Sequence, residues 1–140
     1  MTDPSADEVR KANMETLAGA HAVYVETMRE HCGEEGLEAL RQANFEHGLE
    51  LGKAGIESGG LREGEPKSLF DFFEAAHPYF GFDLELIDHS DDMVEMKVHS
   101  CPWIDTFKAK GAEEDICHWV RAMDDGIGRA VDPDLEMSIP

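Results

Sequence analysis

Apolar residues recur every three or four positions through the front of the chain, with Val9, Ala12, Leu17, Ala20, Tyr24 and Met28 on helical spacing. Ser5 and Glu8 form a capping-box pattern ahead of this stripe, and Cys32-Gly33 closes it, which predicts a long first helix. A second stripe of Leu37, Leu40, Asn44, Gly48, Leu51 and Gly55 predicts another helix from Glu34 to about Glu57, stopped by Ser58-Gly59-Gly60. The two are expected to form an antiparallel helical hairpin. Glycine weakens a helix, so Gly48, Gly52 and Gly55 imply that another backbone or a ligand comes close there. If the space is a pocket, His21 and His47 can face it; otherwise they are surface imidazoles.

Leu61 to Lys67, with Gly64 and Pro66, reads as a short loop. Ser68 with Asp71 is expected to cap a third helix carrying Phe70, Phe72 and Phe73, ending near Pro78 to Gly81. The period then changes to two. Phe82, Leu84 and Leu86, followed after His89-Ser90-Asp91-Asp92 by Val94, Met96 and Val98, predict a β-hairpin. On such a strand His99 and Cys101 share a face, opposite Val98. Cys101-Pro102-Trp103 turns into a short helix to about Lys110, and Gly111 precedes a last helix, Ala112 to Val131, with a stripe of Ile116, Val120, Met123 and Ile127. Asp132-Pro133-Asp134 ends it, and Leu135 to Ile139 alternates like a final strand. The expected architecture is α+β: a single domain over residues 1–140, with a helical hairpin over 1–60 and an α+β part over 68–140 on a small antiparallel sheet.

Charge narrows the range of partners. Against 31 acidic residues stand 12 lysines and arginines, a net charge of −19. That field repels phosphate backbones and anionic lipid, so neither nucleic acid nor membrane is expected as a partner. The polar start of the chain lacks the pattern of a signal peptide, and three cysteines, an odd number, read as free thiols in a reducing compartment. A cytoplasmic protein is expected, acting on a small molecule; a homodimer is left open.

The candidate chemistry centres on Cys101. Pro102 suits the first position of a helix, which makes Cys101 the cap residue, where free amides and the positive end of the helix dipole lower a thiol pKa. His99 or His118 is the candidate general base, with Asp105 or Asp124 to orient the imidazole. Trp103, Asp105, Cys117 and Asp124 are the candidate substrate contacts. The plain alternative makes Cys101 a small buried hydrophobe. No cofactor is required by this chemistry; a second reading takes His99, Cys101, Cys117 and His118 as ligands for zinc or iron, although paired Cys-x-x-Cys knuckles are lacking. There is no phosphate-binding loop, nucleophile elbow, His-Glu-x-x-His or dinucleotide fingerprint.

Val98-His99-Ser100-Cys101-Pro102-Trp103, then Lys108, Gly111, Ile116-Cys117 and Asp132-Pro133-Asp134-Leu135, resemble the L-2-amino-thiazoline-4-carboxylic acid hydrolase family from about Leu69 to Pro140. The resemblance implies hydrolytic opening of a small sulfur-containing ring and carries over Cys101 and Cys117. The leading expectation is therefore a thiol-dependent hydrolase or lyase acting on a small heteroatom-containing ring or amide. The alternative is a non-catalytic, sensor-type domain that binds a small molecule or a metal.

Overall fold

The computed structural model describes residues 2–138. Its first element, α1 (Ala6–Ser58), takes in both predicted front helices. Ser5 caps it through the expected reciprocal bonds: Glu8 N donates to Ser5 Oγ at 3.2 Å, and Ser5 N donates to the Glu8 carboxylate at 2.9 Å. Gly59, left-handed at φ 86°, ends it. Inside, Gly33 leaves helical geometry at φ 59° and ψ −151°. A Cβ on Gly36 would lie 2.4 Å from Cys32 Cβ, whereas residues four apart on a continuous helix keep their Cβ atoms about 5–6 Å apart. The chain therefore bends sharply at Gly33 and gives α1 two arms, residues 6–32 and 34–58.

Beyond α1 come α2 (Lys67–Ala75), α3 (His77–Phe80), strands β1 (Asp83–Ser90) and β2 (Met93–Ser100), then α4 (Pro102–Ala109), α5 (Ile116–Val120) and α6 (Ala122–Val131). The fold is α+β, with the two strands paired antiparallel. Ser68 does not cap α2, which starts one residue earlier. Its side chain is instead buried, donating to Glu65 O at 2.8 Å and accepting from Arg62 N at 3.0 Å. The aromatic helix stops at Ala76 and restarts as the single turn α3, with Pro78 in that turn and Gly81 at φ 77° after it. The predicted last helix is also divided. Residues 112–115 stay outside it, and at Arg121 the bonding tightens, with Asp124 N donating to Arg121 O at 2.8 Å, so α5 and α6 are separate. Residues 135–138 form no strand; Ile139, the end of the strand expected there, lies outside the described residues.

Two apolar clusters hold these parts together. Ala18, Ala22, Val25 and Leu37 from α1 pack with Phe107, Ile116 and Trp119. Leu61, Leu69, Ile127 and Val131 form the second, with Phe72, Phe73 and Val94 packed against it, which seats the hairpin and α2 on the end of α6. Gly48 meets backbone, as one of the two sequence expectations had it: a Cβ there would fall 1.9 Å from Met123 O, and one on Gly126 of α6 would fall 2.1 Å from Phe45 O. Gly52 instead first meets the Ala130 methyl at 2.5 Å, and Gly55 the Leu61 side chain at 2.8 Å. Helices α1 and α6 cross here almost backbone to backbone, so no pocket opens for His21 or His47 at that point.

Candidate active site

Cys101 is the residue before α4, with extended backbone (φ −132°, ψ 109°), and Pro102 opens the helix as expected. The thiol is half-buried. Its titration runs opposite to the sequence expectation. Burial pushes the Cys101 thiol above its ordinary range; the amides of Ile104 and Trp103 favour the thiolate without completing a capping bond, and Asp105 and Asp124 oppose it. Helix-end stabilisation is present here but outweighed by desolvation and two carboxylates.

Cys117, on α5, is also half-buried, and burial likewise raises it; the charge of Cys101 adds to the rise, while Arg121 and Lys108 pull it down. The two thiols therefore share one electrostatic neighbourhood. Asp124, in the first turn of α6, completes it. Its carboxyl is pushed up to about 6, by burial first and by neighbouring Asp125 second, against the pull of Arg121. One Arg121 nitrogen, Nη1, is buried without a hydrogen-bond partner, 4.0 Å from Asp125 Oδ1.

The imidazoles sit differently from the sequence expectation. The strand register steps from Ser100 opposite Asp83 to Val98 opposite Leu84, so His99 is the extra residue of a β-bulge. A bulge re-aims side chains, and the alternation that put His99 with Cys101 does not apply. Nε2 of His99 lies 2.6 Å from Glu85 Oε2 on β1. His118 is exposed and packs edge-on against Trp119, with ring centres 4.9 Å apart. Among the described residues no hydrogen bond joins either imidazole to Cys101 or Cys117. Nor does any group of three or more His, Cys, Asp or Glu take an arrangement that could hold a metal ion, so His99, Cys101, Cys117 and His118 do not form a ligand set.

Trp103 lies in the first turn of α4, half-buried, between His21 (ring centres 4.9 Å apart, edge-on) and Phe107 (6.1 Å). His21 is fixed in turn by Nδ1 donating to Leu17 O at 2.9 Å. This contact and the Glu85 partner of His99 escaped the sequence reading because both pair residues far apart in the chain. Asp105 is exposed on α4 and reaches Cys101 through its charge. The arrangement offers a thiol, a carboxyl that exchanges its proton near neutral pH, a second thiol and two cations.

A family model described as L-2-amino-thiazoline-4-carboxylic acid hydrolase matches residues 13–140. The chain belongs to that family. The match takes in the bent α1 as well as the Cys-Pro region, so membership extends beyond the half of the chain that carries the sequence motifs. The family's name makes hydrolysis the activity class to consider. Comparison with curated proteins and with solved structures gave no match. Among the described residues no helix is long and apolar enough to cross a membrane.

Proposed function

We propose that the chain hydrolyses a small ring or amide in which carbon is bound to nitrogen or sulfur, of the thiazoline-carboxylate kind, with Cys101 as nucleophile and Asp124 as proton acceptor. The observation that carries this reading is that these groups feel one another's charge, Asp124 opposing the Cys101 thiolate and Cys101 raising the Cys117 thiol, with the Asp124 carboxyl pushed up to about 6. A carboxyl tuned toward the working pH is suited to general acid–base work, which supports Asp124 over an imidazole in this role. Sγ of Cys101 bonds to the electrophilic carbon as its proton passes to Asp124. That proton then goes to the departing nitrogen or sulfur as its bond to carbon breaks, and water displaces the thiol from the carbon.

The test is turnover of 2-amino-thiazoline-4-carboxylate by Cys101→Ser, Cys117→Ser and the parent protein, each checked for an unchanged thermal transition. Loss of more than about 100-fold in Cys101→Ser is expected. Undiminished turnover in that variant would remove Cys101 from the mechanism. The raised pKa of both thiols favours a second reading, in which the same residues bind a small molecule without transforming it. Saturable binding of the substrate with no turnover would decide for that reading.

A further inference from the structure

A concave surface lies between the second arm of α1 and the end of α6. It is a solvent-open groove of about 480 Å³, lined by Phe45, Leu49, Lys53, Arg129, Ala130 and Pro133. That volume falls within the range of small-molecule sites. None of its lining residues belongs to the thiol cluster. Phe45, Leu49 and Lys53 follow at four-residue spacing, so they form one ridge of α1 that runs from apolar to cationic.

The opposite wall is built by the end of α6. Nη1 of Arg129 donates to Pro133 O, which pins the guanidinium beside the groove and leaves its other donors free. In a chain of net charge −19, cations are scarce and most are spent on acids. Among the described residues neither Lys53 nor Arg129 is in an ion pair. Asp125 feels the charge of Arg129 and offsets part of it, whereas Lys53 is exposed. The floor is an aromatic ring, a leucine, an alanine methyl and a proline ring, which suit a flat apolar body.

We propose that this groove is a binding site for a small aromatic carboxylate, its ring on Phe45, Leu49 and Pro133 and its carboxylate between Lys53 and Arg129. The site is distinct from the hydrolytic one and does not depend on it. Arg129 supplies a fixed fork of donors that matches a carboxylate, and Lys53 supplies a mobile point charge.

The experiment is amide NMR of the full chain titrated with 1-naphthoate, with the neutral 1-naphthalenemethanol as comparator. Saturable shifts concentrated at residues 45–53 and 129–133 are expected, with weaker binding of the alcohol. Lys53→Glu, an exposed substitution, should weaken naphthoate about tenfold, and Arg129→Lys should weaken it while keeping the charge. Shifts only around Cys101 and Asp124, equal binding of the alcohol, or an unchanged affinity in Lys53→Glu would each overturn the proposal. Turnover by the thiol site is unaffected in every one of these cases, so the two readings fail separately.

Discussion

Gly48 of α1 and Met123 of α6 approach so closely that a Cβ on the glycine would stand 1.9 Å from the Met123 carbonyl oxygen. The obstacle is backbone on both sides, and backbone cannot swing aside as a side-chain tip can. Alanine would bring about 1 kcal/mol of helix propensity, but forcing the helices apart costs more, typically 1–3 kcal/mol and at times beyond. Gly48→Ala should therefore lower stability by about 1–3 kcal/mol in urea unfolding. A variant as stable as the parent would show that the crossing is looser than described.

Gly33 tests a different cost. Nothing lies within 4 Å of where its Cβ would be, yet its φ of 59° with ψ −151° is ground that L-residues rarely occupy. Gly33→Ala should cost about 1–3 kcal/mol through backbone strain alone. Because no packing is lost, a further change to Val should add little beyond its β-branched stiffness. A large extra loss in Val would mean that the bend is crowded.

The β-hairpin, the caps at Ser5 and Gly59, and the Cys101-Pro102 junction were legible because each is written in residues close together in the chain. Cap chemistry needs only four residues, and alternation needs only six. The bulge at His99 was hidden because it depends on which residue of β1 faces which residue of β2. Ser68 misled for a related reason. Its hydroxyl has the right spacing for a cap, but the chain turn at Arg62 and Glu65 offers it buried partners, and they outcompete the helix end. The rise in the Cys101 thiol was out of reach for another reason: the largest cause is burial, and although nearby Asp105 contributes, so does Asp124, twenty-three residues away by number. The residue types at the site were readable; their mutual electrostatics required the packing of α4 against α5 and α6.

Asp124 gives a pH prediction with a definite sign. Its carboxyl is pushed up to about 6, so the folded chain holds the proton more tightly than the unfolded chain does. Stability contributed by that proton is full at low pH and declines as pH rises from about 4 through 6. Asp125 is raised as well, chiefly by burial, and acts in the same direction. Asp124→Asn should raise stability near pH 7.5 by about 1–3 kcal/mol and flatten this slope, while turnover falls. Urea midpoints at pH 5 and 7.5 for both proteins read the first effect. An unchanged slope would place its source elsewhere.

The thiols should differ in reactivity in an order set by burial. Cys32 is exposed, whereas Cys101 and Cys117 are half-buried and their thiols are raised. At pH 7, iodoacetamide should modify Cys32 first, with Cys101 and Cys117 accelerating only above the ordinary thiol range near 8.5. Asp124→Asn should speed Cys101 by removing a nearby negative charge. Mass spectrometry of timed samples resolves the three sites, and a Cys101 that outpaced Cys32 at pH 7 would contradict the electrostatics described.

The bend in α1 also bears on how the molecule is assembled. Arg29 on the first arm forms a two-pronged ion pair with Asp115, at 2.7 and 3.2 Å, while Asn44 on the second arm donates to Trp119 O at 3.0 Å. One short stretch, residues 115–119, thus clasps both arms. Each arm has its own anchorage there, in addition to the peptide link through Gly33. A polypeptide severed at that point would leave two pieces that still share a common seat on residues 115–119.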